Sequence, residues 1–388
     1  MQEKNDLRLL MITELFLPTK GGTAVSFDDD FRRLGGKEVH IVTADVPGAA
    51  EFDRDHPNSI HRLVLERHEW LKPESLLMYS KFFLSSLWLT VTRRITTLYA
   101  GRALPEGLVA LVVARLTGRP VFIYAHGEEL TGWGRGKKFQ AMCFAMRHAD
   151  GVLSNSDNTR DTLTDLIGVA PERVNLIYPT VDEERFRPGP LDDELRGSVG
   201  ATGNRKLVLS VGRLQRRKGF DNVVRSLPGL LEQCVDVEYV LIGIGEDHDY
   251  LESLARELGV ADRVHLPGHV SYEDLPRWYN ACDLFAMPNR DIDGDTEGFG
   301  LVFLEAAASG KPALAGKAGG TGSAVVDGET GLRVDGEDLA EITRAMAQLL
   351  DDAAESERMG RAARERVLAN FVHKRRVDQL RDLALKGR

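Results

Sequence analysis

Cysteine is scarce in this chain. Cys143, Cys234 and Cys282 are the three among 388 residues, far apart and without a CxxC or other metal-type spacing. Such usage gives neither a disulfide framework nor a zinc site and fits a reducing, cytoplasmic setting. Basic excess is missing as well. Lys and Arg number 50 against 59 Asp and Glu, a formal net charge of −9, and no basic, aromatic-interleaved face of the kind that binds nucleic acid is seen. Long apolar runs are also lacking: the most apolar later stretch, residues 82–91, is about half of the roughly 20 residues a bilayer span needs, and Arg93 and Arg94 close it. The opening MQEKNDLRLLMITELF has no long apolar region or small-residue cleavage site and reads as a first strand rather than a secretory signal.

What is present is ordinary for a globular protein: 43% hydrophobic and 28% charged residues, with a length that favours two domains. Strand-like runs at 7–13, 38–43, 95–99, 121–124, 151–154 and 174–177 alternate with amphipathic or apolar segments. Around 186–204 the composition turns to Pro, Gly and charge, a linker signal. A second alternating series follows, at 207–211, 237–242, 264–266, 284–287 and 312–315, and helical composition runs from about Glu337 to the end. The pattern predicts two doubly wound, parallel-sheet α/β domains facing a cleft. The expected parts are 1–185, a linker at 186–204, a second domain at 205–370, and a last helix at 371–388 packing back on the first domain. Ligands of such sheets bind beyond the carboxyl ends of the strands.

Three motifs occupy such places. Pro18-Thr19-Lys20-Gly21-Gly22-Thr23 lies between the first strand and a helix-like segment from about Ala24, where close backbone approach and a helix dipole suit a phosphate, although Gly-Gly there is also a common turn. It is neither GxGxxG nor GxxxxGK[ST], which counts against a dehydrogenase or a P-loop nucleotidase, and Gly243-Ile244-Gly245-Glu246 lacks the third glycine too. Arg213 and Lys218 follow the first strand of the second domain, a fork donor and a point charge able to neutralise a diphosphate, whereas Arg216 and Arg217 read as solvated. Glu297 and Glu305 are separated by seven residues, the first in a loop and the second inside a helix starting near Gly300. Each carboxylate can accept from vicinal hydroxyls, ribose at Glu305 and a hexose at Glu297.

Together with His126-Gly127, Gly319-Gly320 and Asp327-Gly328-Glu329-Thr330-Gly331-Leu332, these residues resemble the retaining glycosyltransferases of family 4, which have the GT-B fold. Within that family, 282–305 and 126–133 look most like phosphatidylinositol-mannoside mannosyltransferases using GDP-mannose. The resemblance implies transfer of a hexose from a nucleotide sugar, GDP-mannose or a UDP-hexose such as UDP-glucose, to a hydroxyl acceptor that is lipid-linked or a saccharide. It implies that Arg213 and Lys218 hold the diphosphate with help from Gly21 and Gly22, and that Glu305 binds ribose. Glu297 with the backbone of Phe299, Gly300 and Leu301 would hold the sugar, and His126 would bond a sugar hydroxyl at the reacting face. Gly243 joins the donor-binding set, and Val270 lies in the stretch where backbone contacts set the base. The sequence departs from the family where Thr321-Gly322-Ser323 replaces a usual Glu after the paired glycines, and where Tyr178-Pro179-Thr180-Val181-Asp182 replaces an Asn/Pro-Gly-Val-Asp turn.

Retention needs no protein nucleophile if the departing diphosphate takes the acceptor's proton on the face where the bond breaks. No cofactor and no metal are expected, because two cations do the metal's electrostatic work. The Asp291, Asp293, Asp295 loop and the Asp28-Asp29-Asp30 run read as turn or surface carboxylates rather than a hard-cation site. A sugar-nucleotide 2-epimerase or phosphorylase on the same scaffold, and a non-catalytic nucleotide-sugar-binding subunit, remain alternatives. Lys81, Phe82, Phe83, Leu84, Trp88, Arg93 and Arg94 suit either a buried helix or peripheral contact with the inner face of a membrane.

Overall fold

The computed structural model describes residues 7–19, 21–65, 76–127, 129–130 and 134–387. The chain divides into two compact units, one formed by the chain up to Pro179 together with His373 onward, the other by Thr180–Val372.

The first unit holds a seven-stranded, wholly parallel sheet. Its strands are β1 Leu9–Ile12, β2 Val39–Ala44, β3 Ser59–Leu63, β4 Thr97–Ala100, β5 Val121–Ala125, β6 Gly151–Ser154 and β7 Val174–Leu176, in spatial order β3-β2-β1-β4-β5-β6-β7. Buried on both faces, the strands alternate between two apolar layers. Leu10, Ile12, Leu98, Ala100 and Ile123 join Met78, Phe82 and Leu89 of helix α2 (Leu76–Thr92) and Val109 and Val113 of helix α3 (Leu108–Thr117). Leu9, Met11, Tyr99, Phe122 and Tyr124 join Phe27 and Phe31 of helix α1 (Gly22–Leu34) and Val377, Leu380 and Ala384 of the carboxyl-terminal helix His373–Lys386. That last helix is tied to the unit by buried charge. Arg376 Nε donates to both carboxylate oxygens of Asp30, at 2.7 and 2.8 Å, and its Nη1 donates to the carbonyls of Ile177 and Tyr178 at 2.9 and 2.6 Å.

The second unit holds a six-stranded parallel sheet in the order β10-β9-β8-β11-β12-β13. Its strands are β8 Lys206–Val211, β9 Val237–Ile242, β10 Val264–Gly268, β11 Leu284–Met287, β12 Ala313–Gly316 and β13 Gly331–Val334. Helices α4 (Phe220–Glu232) and α5 (Leu301–Ala308) follow β8 and β11. In each sheet the chain order reverses beside one strand, β1 in the first and β8 in the second. A crevice opens at such a point, so the loops after β1 and β4 and those after β8 and β11 are where a ligand is accommodated.

The structure differs from the sequence reading in three places. Strands β3 and β13 are additional. Helix α1 begins at Gly22, two residues before the expected start. The stretch 186–204 is packed rather than loose: it carries a helix Asp193–Ser198, capped by the Asp192 side chain, and the buried Arg196 donates to the carbonyls of Ala281 and Arg205 at 2.6 and 2.7 Å.

Candidate active site

In the second unit, the carboxyl ends of β8, β9 and β10 finish on a row of glycines. Gly212 N–H donates to the Ile242 carbonyl and Gly243 N–H to the Gly268 carbonyl, both at 2.9 Å. Gly243 has φ +155, and a β-carbon there would overlap the Gly212 carbonyl oxygen, so only glycine lets these strand ends meet. Beyond that row the chain makes the single turn Arg216–Lys218. Gly219, at φ +75, lies so close to the Pro288 carbonyl that a side chain has no room, which pins the turn against the loop after β11. The backbone N–H of Arg290 donates to the Arg217 carbonyl at 2.8 Å, and Arg290 pairs with Asp221 at 2.9 Å.

Two cations of this turn converge on one carboxylate oxygen. Lys218 Nζ donates to Glu297 Oε2 at 2.7 Å and an Arg217 terminal nitrogen donates to the same atom at 3.1 Å. The side chains are 11, 13 and 14% exposed for Lys218, Arg217 and Glu297. Burial alone would push the Glu297 carboxyl up, but Lys218 and Arg217 outweigh it and hold the group below its ordinary range, fully ionised at neutral pH. Arg217 is therefore buried and paired, contrary to the sequence reading of it as solvated. Arg216 is more open, yet it also pairs with Asp247 at 3.3 Å and lies 3.7 Å above the Tyr250 ring. Arg213 is exposed and makes no ion pair or hydrogen bond among the described residues.

Glu297 sits on an irregular loop braced from behind. Gly320 N–H donates to its carbonyl at 2.8 Å, and Gly319, at φ +70, approaches that carbonyl too closely for any side chain. Phe299 is buried edge-on against Phe371, with ring centroids 5.9 Å apart. Gly300, at φ +84, leads into α5, whose first amides receive no side-chain cap, and Leu301 starts that helix half-buried. Glu305 lies about one turn inside it. Tyr279 donates to Glu305 Oε2 at 2.6 Å, and no other partner of this carboxyl is seen among the described residues. Burial pushes the Glu305 carboxyl up to about 7 despite the Tyr279 hydrogen bond. Val270 is half-buried in the loop after β10.

In the first unit, Gly21 and Gly22 are exposed at the start of α1. Gly21 has φ +141 and open space around it, and the helix start has no side-chain cap, so its amides face solvent. His126 follows β5. Its Nε2 lies 2.8 Å from the Gly101 carbonyl, an acceptor, so Nε2 carries a proton and donates it there. Its backbone N–H donates to Glu129 at 2.9 Å, and Asn155 donates to its carbonyl at 3.0 Å. Lys20, Glu128 and 131–133, which carried part of the sequence motifs, lie outside the described residues.

One buried carboxyl of the first unit had no sequence signal. Glu106, in the kinked turn after β4, is wholly buried: Oε1 accepts from the Glu14 amide at 2.9 Å, Arg102 lies 3.6 Å away, and Oε2 has no hydrogen-bond partner among the described residues. Burial pushes its carboxyl up to about 7.

The aspartate runs are occupied by protein cations and amides. Asp28 pairs with His56 at 2.6 Å and with Arg32 at 3.2 Å, Asp29 with Arg33 at 2.6 Å, and Asp30 with Arg376. Asp291 accepts from Gly294 N–H at 2.7 Å, and Asp295 lies 3.3 Å from Arg217. Among the described residues no group of three or more His, Cys, Asp or Glu is arranged to hold a metal ion. On α2, Phe82 is buried while Leu84, Trp88 and Val91 are exposed, and an apolar groove between α2 and α3 is lined by Tyr79, Phe83, Leu108 and Val112. No described helix is long and apolar enough to cross a membrane.

Two parallel doubly wound units, each with its chain order reversing beside one strand, define the GT-B fold. HepE of Anabaena with UDP bound superposes over 98% of this chain and 100% of its own, with a TM-score of 0.83 at 20% identity. Sucrose-phosphate synthase of Thermosynechococcus elongatus covers 98% of both chains with a TM-score of 0.76 at 22% identity. Residues 192–366 match the model for glycosyl transferases group 1, and residues 21–185 match that for Glycosyltransferase Family 4. The GDP-mannose-dependent alpha-(1-6)-phosphatidylinositol monomannoside mannosyltransferase of Mycolicibacterium smegmatis is 33% identical over 98% of each chain. That of Mycobacterium tuberculosis is 34% identical over 94% of each. The chain belongs to glycosyltransferase family 4 and is a glycosyltransferase.

Proposed function

We propose that this enzyme transfers mannose from GDP-mannose to a hydroxyl of a phosphatidylinositol-type, lipid-linked acceptor, with retention of anomeric configuration and without a metal. The observation that carries the reading is the buried convergence of Lys218 and Arg217 on Glu297 after β8. It is a preformed anion-binding turn where such sheets accept ligands. Support for the donor and acceptor comes from relatives of 33 and 34% identity over nearly the whole chain that carry those names.

In this reading Lys218 and the open Arg213 take the diphosphate, and the uncapped amides at Gly21 and Gly22 offer a further anion contact. The free oxygen of Glu305 accepts from ribose. Glu297 and the amides at Phe299, Gly300 and Leu301 hold the hexose. His126 uses Nδ1 toward a sugar hydroxyl, because Nε2 is committed to Gly101. Charge growing on the leaving phosphate is stabilised by fixed donors, each worth on the order of 3 kcal/mol in a water-poor site. The leaving diphosphate then accepts the acceptor's proton. The exposed Leu84, Trp88 and Val91 beside Lys81, Arg93 and Arg94 support contact with a lipid surface.

Incubation with GDP-mannose and phosphatidylinositol monomannoside, with product configuration read by NMR, tests this reading. An α-mannoside formed equally well in chelator supports it. A 2-epimer made without acceptor, transfer only from UDP-hexoses, or a chelator loss rescued by Mn²⁺ would each contradict a stated part.

A further inference from the structure

Glu297 has two of the turn's three cations, Lys218 and Arg217, on one oxygen, the geometry a phosphate oxygen would receive. The backbone beneath is fixed on two sides, by the Gly219–Pro288 approach and by the Arg290–Arg217 bond. The side chains, rather than the turn, are therefore free to change partners. Arg217 Nε is buried and makes no hydrogen bond among the described residues; its one ionic neighbour there is Asp295 Oδ2 at 3.3 Å, on a side chain that is 60% exposed and so held weakly against a diphosphate. Counting the buried charges, Lys218 and Arg217 against Glu297 leave one positive charge, which the 60% exposed Asp295 balances from 3.3 Å, and a diphosphate supplies more negative charge than one carboxylate does.

We propose that Arg217 is a third diphosphate-binding cation of this site, and that Glu297 is the internal anion that holds Arg217 and Lys218 in readiness until the donor's diphosphate replaces it. This rests on the reading of the site as one for a sugar nucleotide. In the exchange no covalent bond changes. The two cations pass from a carboxylate oxygen to phosphate oxygens, and the released carboxylate becomes available to the sugar hydroxyls. Desolvation of the cations is thereby met before the donor arrives, and the carboxylate that must grip the sugar is freed by the same step. The nucleoside diphosphate alone competes with Glu297 and gains nothing from its release, because it carries no sugar.

The test is calorimetric titration of GDP, with UDP and ADP in parallel and GMP as the monophosphate control, into wild type, Glu297→Gln, Arg217→Gln and Arg217→Lys. Glu297→Gln is expected to bind GDP about tenfold more tightly, the factor of one charge-assisted hydrogen bond no longer competed for, while losing turnover. Arg217→Gln is expected to weaken GDP about tenfold with little change in GMP, and Arg217→Lys to recover part of that loss. A purely structural Arg217 would affect both nucleotides alike. Unchanged or weaker GDP binding in Glu297→Gln, or equal losses of GDP and GMP in Arg217→Gln, would overturn the exchange. If wild type bound none of the three diphosphates, the nucleotide-sugar reading itself would fall, and the exchange with it.

Discussion

Replacing Glu106 by Gln should uncouple a large part of the protein's stability from pH. The carboxyl is fully buried, one oxygen accepts from the Glu14 amide, and the other has no hydrogen-bond partner among the described residues. Burial raises its pKa from an ordinary 4.5 to about 7, with Arg102 and the Glu14 amide opposing only in part. At about 1.36 kcal/mol per pH unit, that displacement corresponds to roughly 3 kcal/mol. Because the folded value is the higher one, the folded state binds the extra proton. The associated stability is fully present below about pH 4.5 and is lost as the pH rises to about 7. Glutamine keeps an acceptor for the Glu14 amide and carries no charge at any pH. Urea unfolding of both proteins between pH 4.5 and 8 reads the difference directly, with other titrating groups cancelling. Glu106→Gln should gain on wild type by roughly 3 kcal/mol across that range. A difference that stays flat within about 0.5 kcal/mol would show that the carboxyl is not held neutral.

Lys218→Ala leaves Glu297 with Arg217 alone in a buried setting, so it should lose stability by about 2 to 3 kcal/mol, below the usual loss for a wholly broken pair. Turnover should fall on the order of 100-fold or more. Adding Glu297→Ala should restore most of the stability and none of the activity, a contrast read by unfolding and transfer assays on the same samples. Gly243→Ala should cost at least about 2 kcal/mol and abolish donor binding, because its β-carbon meets the Gly212 carbonyl. Gly268→Ala, with φ +76 but open space around the new carbon, should cost only about 1 kcal/mol. Equal losses in the two glycine variants would refute the close approach of the β8 and β9 ends.

The alternating pattern was legible because a sheet buried on both faces writes its strands as apolar runs, and eleven of these runs correspond to strands in the structure. Two strands escaped it for physical reasons. β3, SIHRL, is half-buried throughout and mixes His and Arg into its length, and β13, GLRV, is a short strand at the sheet's end. The linker signal at 186–204 arose from Pro, Gly and charge, but there the charge is structural: Arg196 is buried on backbone carbonyls. At the site, spacing brought out Lys218 and Glu297, which the fold places in contact. It did not separate Arg216 from Arg217, since adjacent residues of one basic run differ in burial only once the turn's direction is known. Glu106 and Tyr279 carried no signal, because their role depends on what the fold buries around them.

A crystal structure with GDP bound addresses the central claim most directly. The account predicts diphosphate oxygens within about 3 Å of Lys218 Nζ and the Arg213 guanidinium, at the turn after β8. A diphosphate seated elsewhere, with Lys218 still bonded to Glu297 and Arg213 still in solvent, would contradict it.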